Sequence, residues 1–187
     1  MPTQARSQIA TIDCSLVTIE QNGVEFGFDT ATNIQVEPQI VESEATQLII
    51  KDILRAQKLG RGTLTGNQIT LTDNVFNAEL VLILQGGVIQ WGTGADINKV
   101  LSYTPPLTGS ITQLDPFIVN AYSAQYDAAG RVVNYEKISY PNCQGVPVAF
   151  GAEDGVFRTA DYTINSAAAQ GEAPYKIMYV DNLPVLT

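Results

Sequence analysis

The chain has 187 residues, of which 45% are hydrophobic and 16% are charged, and its ten basic and nineteen acidic residues give a net charge of −9. This composition is that of a folded protein with a substantial core and excludes intrinsic disorder. The acidic balance argues against stable nucleic-acid binding, and the absence of histidine excludes Ser-His-Asp and Cys-His catalytic sites.

The N-terminal part of the chain predicts a β-hairpin. Two extended stretches, Ala10–Glu20 and Val24–Thr30, flank Gln21-Asn22-Gly23, and Asn-Gly is a strong signal for a tight hairpin turn. Apolar and polar residues alternate along the second stretch, which is typical of a strand with one buried face. The apolar set is Val24, Phe26 and Phe28, and the polar set is Glu25, Gly27 and Asp29. Residues 1–9 are expected to form a flexible arm ahead of this hairpin.

The region from residue 31 to residue 72 predicts further extended chain. Ala31–Glu44 is a strand candidate in which Pro38 indicates a sheet edge or a break, because proline lacks the N–H that a central strand donates. Gln47–Lys51 is a second strand candidate. Lys51–Gly60 suits either a helix or a strand that runs into a loop. Three glycines between residues 60 and 66 predict a flexible connection to a short strand at Ile69–Thr72.

Asp73–Gly87 is the best helix candidate in the sequence. Asp73 can cap its N-terminus, Glu79 lies in its early turns, and Gly86-Gly87 can end it. Apolar residues recur at helical spacing and predict a face that packs on the core: Val75, Phe76, Leu80, Ile83 and Leu84.

A long ribbon dominates the second half of the sequence. Phe117–Tyr126 and Arg131–Tyr140 flank Asp127-Ala-Ala-Gly130, whose glycine is available for a left-handed position. At about 3.3 Å per residue, each arm of this hairpin extends roughly 30 Å.

The remaining segments of the second half are predicted as follows. Strands are expected at Val88–Trp91, Val146–Phe150 and Tyr175–Asp181. A loop is expected at Thr93–Lys99, an extended or turning segment at Tyr103–Leu107, and a stretch containing Gly and Ala before Pro174.

Together these elements predict one domain over residues 1–187. Its fold class is mainly β, a sandwich or barrel with one principal α-helix and long hairpin extensions. No apolar run is long enough to span a membrane, and no signal-peptide core follows the N-terminus. We therefore expect folding in the cytoplasm, with Cys14 and Cys143 as free thiols.

No motif in the sequence predicts an enzyme, a cofactor or a metal site. The Gly92–Ala95 segment lacks the remainder of a phosphate-binding loop, and Asp96 and Asn98 lack the later ligands of a calcium loop. The adjacent Glu153 and Asp154 lie between two glycines and predict a solvated turn instead of a catalytic carboxylate pair.

Charge is unevenly distributed along the chain. Between Ser7 and Ile50 there are seven acidic residues and no Lys or Arg, and then four basic residues follow within eleven positions: Lys51, Arg55, Lys58 and Arg61. Two interpretations remain open. One is a solvated acidic face beside a basic loop, and the other is a pair of complementary surfaces through which copies of the chain contact one another.

Four segments resemble the major tail tube proteins of Gram-positive phages and of phage-like contractile particles. They are LTGNQITLTDNVFNAELVLILQGG (Leu64–Gly87), YTPPLTGS (Tyr103–Ser110), YDAAGRVVNYEKISYPNCQG (Tyr126–Gly145) and EDGVFRTADYTINSAAAQGEAPYKIMYVDNLP (Glu153–Pro184). The resemblance spans most of Leu48–Pro184 in the same segment order. The first 44 residues resemble the family only loosely.

The resemblance implies a tail-tube-type β-sandwich that closes into rings, usually of six, which stack through hairpins and arms. Inner sheets of neighbouring subunits then form a barrel around a lumen that conducts DNA in transit or perforates a target envelope. The implied partners are further copies of the chain and the sheath, tape measure, baseplate and terminator proteins. The implied location is a virion tail assembled in the host bacterial cytoplasm, without membrane insertion of the monomer.

Three sets of residues follow as candidate sites. The candidate lumen-facing residues are Glu25 and Asp29, because carboxylates repel the phosphates of passing DNA. The candidate inter-ring contacts are Lys51, Arg55, Lys58 and Arg61. The candidate inter-subunit hairpin residues are Phe117, Val119, Tyr122, Tyr126, Val133 and Tyr135, since pairing with a neighbour would stabilise a long ribbon.

Two other classes of function stay open at this point. Another virion structural protein, such as a tail terminator or a capsid decoration protein, would share the β-rich composition. A carbohydrate-binding β-sandwich module would use Trp91 and some of the eight tyrosines as stacking surfaces.

Overall fold

The computed structural model describes residues 10–28, 31–50, 53–73, 75, 77–109, 114–148, 154 and 160–185. Over these residues the fold is mainly β with one α-helix, which confirms the predicted fold class. The strands are β1 Ala10–Gln21, β2 Val24–Phe28, β3 Ala31–Glu42, β4 Thr46–Ile50, β5 Ile53–Lys58, β6 Gly62–Asp73, β7 Val88–Trp91, β8 Val100–Thr104, β9 Phe117–Tyr126, β10 Val132–Gly145, β11 Ala160–Ser166 and β12 Lys176–Val180. The helix α1 is Ala78–Gln85, and a short 3-10 turn covers Gly94–Asp96.

Strand β10 connects two parts of one eight-stranded antiparallel sheet, β2-β1-β9-β10-β11-β6-β3, in which β12 also pairs with β10. On one side β10 pairs with β9, and on the other it pairs with β12 over residues 135–139 and with β11 from Cys143 to Gly145. The change of neighbour coincides with a register shift between Tyr140 and Cys143 and with a left-handed Asn142, whose φ is 49°. We call the part of this sheet that contains β2-β1-β9-β10-β12 the five-stranded sheet, and β11-β6-β3 continue it from the end of β10.

The core is shared by both parts of the sheet and by the helix. Val17 and Ile19 of the five-stranded sheet are completely buried, as are Ile69 of β6 and Tyr162 of β11. From α1, the buried Leu80 and Leu84 enter the same cluster. One continuous hydrophobic core therefore joins the five-stranded sheet, β6, β11 and the helix.

The helix begins four residues later than the capping prediction placed it. Asn77 is its N-cap, and the Asn77 Oδ1 atom accepts hydrogen bonds from the N–H groups of Glu79 and Leu80 at 2.9 and 3.3 Å. Asp73 instead ends β6, and its Oδ1 accepts from the Val75 N–H at 3.0 Å. The predicted glycine end is confirmed, since Gly86 has φ 75° and donates its N–H to the Leu82 carbonyl.

Only part of the predicted apolar stripe lies on the helix. Leu80, Ile83 and Leu84 are buried in the core as expected, whereas Val75 precedes the helix and is 55% exposed. Phe76 lies outside the described residues.

Both predicted hairpins are present. The turn between β1 and β2 has Asn22 at φ 53° and Gly23 at φ 78°, the left-handed pair that a tight hairpin requires. Between β9 and β10, Gly130 has φ 75°. The Asp127 Oδ1 atom accepts hydrogen bonds from the backbone N–H groups of Ala129 and Arg131, and the Arg131 N–H bond is the main cause that lowers the pKa of this carboxyl.

Several segment predictions are corrected. The supposed flexible glycine region is the start of β6, which runs from Gly62 to Asp73. Glycine at position 66 serves close packing, because a Cβ there would lie 2.2 Å from the Ser166 carbonyl oxygen. The ambiguous segment after residue 51 forms β5, a strand, and the strand expected at Val146–Phe150 is absent over residues 146–148, its last two residues lying outside the described ranges.

Two strands were missed. In β11, Ala160, Tyr162, Ile164 and Ser166 are buried while Asp161 and Asn165 are exposed, so part of its alternation is carried by small or polar residues. Strand β8 is almost entirely exposed and shows no alternation of buried and exposed residues, and its end overlaps the segment predicted as extended or turning. Pro38 lies on β3, which is an edge strand as expected, and Lys176–Val180 confirms the C-terminal strand.

Candidate assembly surface

One face of the five-stranded sheet packs on the core, and its other face is polar. Alternation along β1 sends Val17 and Ile19 to the core and Thr18 to the opposite face. The strand registers align one residue from each of the five strands in a row on that opposite face: Gly27, Thr18, Asn120, Ser139 and Lys176. We call this surface the polar face.

A hydrogen-bonded network crosses four strands of the polar face. The Thr18 hydroxyl donates to Glu25 Oε1 at 2.5 Å and accepts from Asn120 Nδ2 at 3.3 Å. Ser139 donates to Asn120 Oδ1 at 2.7 Å, and the Tyr122 hydroxyl lies 3.4 Å from Glu25 Oε1. Thr18 and Asn120 are buried although they lie opposite the core, so their polar groups depend on these partners.

Charges on the polar face are separated along the sheet. Glu20 and Glu25 lie on β1 and β2, toward one edge. Lys137 and Lys176 lie on β10 and β12, toward the other edge, and the Lys137 ammonium is 5.3 Å from the centre of the Tyr122 ring. The two edges of the sheet therefore carry opposite charge on the same face.

Both outer strands of this sheet have a free side. Among the described residues, β2 pairs only with β1 and β12 pairs only with β10. Along β12, the side chains of Ile177 and Tyr179 are 47% and 61% exposed. A strand with unpaired N–H and C=O groups and exposed apolar side chains is a template for a further strand.

The predicted lumen residues are placed in part. Glu25 lies on the polar face, away from the core, and Phe26 and Phe28 pack toward the core as the alternation predicted. Val24 is an exception, because it lies at the exposed turn end of β2 and is 53% exposed. Asp29 lies outside the described residues.

The candidate hairpin residues mostly serve this chain's own fold. Phe117 and Val119 are buried in the core, and Tyr122 belongs to the polar face. Tyr126, Val133 and Tyr135 lie toward the turn end of the ribbon, where Val133 is 49% exposed. Strand β9 is paired on both sides, with β1 and β10, so the free edges belong to β2 and β12 and not to the ribbon itself.

The basic segment forms the side of a protruding hairpin. Within the described ranges, strands β4 and β5 pair only with each other, and they extend the β3–β6 ladder past the hydrogen bonds that join Ser43 to Arg61. Arg55, Lys58 and Arg61 are all exposed, and Lys51 lies outside the described residues. We call the strand pair of β4 and β5 the arm.

A groove lies between α1, strand β7 and the core-facing side of β2. Its cavity volume is about 460 Å³, and a second depression of about 440 Å³ adjoins it, with Trp91 and Glu79 lining both. The loop at Asp115 forms one wall and is held there by Gln21 and Asn22, whose side-chain N–H groups donate to its carbonyl and carboxylate at 2.9 and 3.2 Å. We call this the Trp91 groove.

The thiols and carboxylates of the described residues form no candidate metal site. No group of three or more Cys, Asp or Glu side chains in the described ranges could hold a metal ion. Cys14 and Cys143 are free thiols, as predicted, and burial raises the pKa of both. Asp154 is exposed, and its neighbour Glu153 lies outside the described ranges. No helix in the described part of the chain is long and apolar enough to cross a membrane.

The molecule is thus a mainly β protein whose distinguishing features are two free sheet edges, a polar face and a protruding arm. No protein-family model matches the chain, and no curated protein matches it. Matches among solved structures include the sheath-tube complex of the PVC extracellular contractile injection system in its extended state, at 11% identity and a TM-score of 0.40 over 90% of both chains. The tube-terminating cap of the anti-feeding prophage matches at 12% identity and 0.42, over 95% of this chain and 99% of that one. The baseplate of the same prophage matches at 10% identity and 0.36, over 94% and 98%.

Proposed function

We propose that this chain is a structural, non-enzymatic subunit of a phage or phage-like tail tube that self-assembles into stacked rings. The observation that carries the proposal is the five-stranded sheet with a hydrogen-bonded polar face and a free strand at each edge. The open edges of β2 and β12 are completed when β2 of one copy pairs with β12 of the next, and closure of the ring leaves neither of these two edges exposed.

Charge supports pairing between these two edges. In such a ring Glu25 on β2 approaches the edge of the neighbour that carries Lys176. Opposite charges on adjoining strands favour this pairing, and like charges disfavour the reversed contact of β2 with β2. The complementarity gives the ring a single direction of assembly.

The polar face then lines the channel. Glu20 and Glu25 oppose the two lysines Lys137 and Lys176 on this face, so the described part of the wall is mixed in charge and not uniformly acidic. Stable DNA binding requires a net surplus of cations to replace the counterions of the phosphates. A wall without that surplus lets DNA slide. The alternation of Glu25, Gly27 and Asp29 in the sequence predicts that Asp29 adds a further carboxylate to this wall.

The finer parts of the proposal follow from the resemblance of the sequence to tail tube proteins. They are rings of six, DNA or envelope perforation as the task of the lumen, and contact with sheath, tape measure, baseplate and terminator proteins. Assembly in the host cytoplasm and residence in the particle tail belong to the same proposal. The basic side of the arm is proposed to contact an adjacent ring.

Electron microscopy of the purified protein, across concentration and salt, tests the proposal. We expect hollow tubes or stacked rings. Tyr179→Lys should abolish ring closure while the monomer stays folded, because Tyr179 is 61% exposed and a lysine on an edge strand blocks strand addition. Val88→Lys is the matched control, since Val88 is 68% exposed on a strand outside the five-stranded sheet.

Three results would change the proposal. Wild-type protein that stays monomeric under all conditions contradicts self-assembly. Rings that never elongate indicate a tail terminator instead of a tube subunit. Normal tubes from the Tyr179→Lys variant show that β12 is not the joint.

A further inference from the structure

The arm exposes several apolar side chains, and among the described residues its two strands pair only with each other. Its side chains at Ile49, Ile53 and Leu54 are 58%, 53% and 51% exposed. An isolated two-stranded hairpin is marginally stable in water, and exposed apolar residues grouped on one hairpin mark a surface that is covered in the working assembly. The charged residues of β4 and β5 are Arg55 and Lys58, so the described arm is basic.

The Trp91 groove combines an apolar floor with an acidic rim. Its floor is apolar, with Phe26, Leu82 and Ile83 facing the cavity. Its charged lining residues are Glu79 and Asp115, both exposed at the rim, and its described lining contains no Lys or Arg. Trp91 itself is 40% exposed and offers an indole face to a cation.

We propose that the Trp91 groove receives the arm of a second copy of this chain. The proposal rests on the proposed function and names the receiving surface for the arm. Ile49 and Leu54 are cross-strand partners on one face of the arm and cover the groove floor. Lys58, on the same face of β5, and Arg55, on the other face, meet the rim carboxylates of Glu79 and Asp115 on the two sides of the arm. The arm does not fill its own groove, because every arm residue with a described side chain is exposed.

The docking contact and the joint between sheet edges use different surfaces, although both involve β2. The edge joint uses the open backbone edges of β2 and β12. The docking contact uses β4 and β5 on one copy and, on another, α1, β7, the Asp115 loop and the Phe26 side chain of β2. Each copy therefore has two pairs of complementary surfaces, one for closing a ring and one for tying a further copy to it.

Photo-cross-linking tests the docking contact directly. Leu54 is replaced by p-benzoyl-phenylalanine, and tubes are grown from an equal mixture of ¹⁵N-labelled and unlabelled protein. We expect cross-linked peptide pairs of mixed isotope content that join the arm to residues 77–91 or to the peptide containing Asp115. Adducts within a single copy, or adducts that map to other surfaces of a second copy, would overturn the proposal.

A charge exchange provides the second test. Arg55→Glu with Lys58→Glu, and separately Glu79→Lys with Asp115→Lys, should each raise the concentration needed for assembly by about tenfold. The protein that combines all four changes should recover most of this loss. A merely structural effect of Glu79→Lys on the helix would not be repaired by changes on the arm, so the recovery is specific to the contact. Glu172→Lys, at an exposed acid outside the groove, is the matched control.

The outcomes separate this proposal from the function on which it rests. If wild-type tubes form but the combined variant shows no recovery, the docking contact is wrong and the tube function stands. If wild-type protein forms no tubes, the proposed function itself fails. Quenching of Trp91 fluorescence by oligosaccharides, unchanged by the arm substitutions, would assign the groove to a glycan and would also overturn the docking contact.

Discussion

Replacing Thr18 by valine tests whether the polar face is held by its hydrogen bonds. Valine has nearly the same shape, but it gives no acceptor to Asn120 Nδ2 and no donor to Glu25 Oε1. Asn120 is only 1% exposed, so its stranded amide costs about 1–3 kcal/mol. The loss at Glu25 costs about 0.5 kcal/mol because that exposed carboxylate regains water. The additional methyl group returns about 0.8 kcal/mol.

The expected net loss is about 1–2 kcal/mol of unfolding free energy, or roughly 4 °C in Tm for a chain of this size. Urea unfolding at a concentration below assembly measures it, with an unchanged m-value as the sign that the folded and unfolded states are otherwise the same. Thr163→Val is the control, at a half-buried strand threonine for which the described structure has no side-chain hydrogen bond. If the unfolding free energy of the Thr18→Val protein lies within about 0.5 kcal/mol of the wild-type value, the reasoning is refuted.

Three further predictions concern the packing around α1 and the buried thiol. Gly145→Ala should lower the free energy of unfolding in urea by about 1–3 kcal/mol, because the new Cβ would lie 2.4 Å from the Leu84 carbonyl oxygen. An unchanged urea midpoint would show that the helix moves away without cost. Tyr103→Phe removes the 2.6 Å hydrogen bond to the Gly86 carbonyl and should cost about 1 kcal/mol, measured by thermal unfolding against the wild type. Burial raises the pKa of Cys143 to about 11 from an ordinary value of 9.0. The protonated thiol therefore contributes about 2–3 kcal/mol to the free energy of unfolding below pH 9. This contribution is lost as the pH rises from 9 to about 11. Cys143→Ala should flatten that part of the stability profile, and an equally steep profile would contradict the assignment.

Local signals were sufficient for the hairpins and for the end of the helix. Asn22-Gly23 and Gly130 adopt the left-handed conformations that their turns require, and Gly86 ends α1 in the same way. These features depend on residues that are close in sequence, so a sequence pattern contains the whole cause. The edge position of the strand containing Pro38 was predicted for the same reason.

The remaining errors arise where long-range contacts decide the structure. Gly66 looked like a source of flexibility, but it sits where the Ser166 carbonyl approaches from a strand one hundred residues later in the chain. Asp73 looked like a helix cap, but its backbone is used by β6, and Asn77 takes that role. In each case a tertiary pairing outweighs the local preference.

The candidate site was only partly predictable. Glu25 was placed on the correct face because alternation fixes it once the neighbouring phenylalanines are buried. The lysines at 137 and 176 were missed, since their presence on the same face depends on the order of strands in the sheet and on register across β10 and β12. No pattern within one segment contains that information.

The way the arm is rooted determines how the molecule responds to mechanical load. Its base continues into β6, which lies between β3 and β11 and is paired with β11 over all residues from Asn67 to Asp73. In an antiparallel ladder the hydrogen bonds are perpendicular to the strands, so a pull along the arm loads them together in shear and does not open them one at a time. A force applied to the arm is therefore carried into a strand that is paired on both sides, where many hydrogen bonds resist it at once.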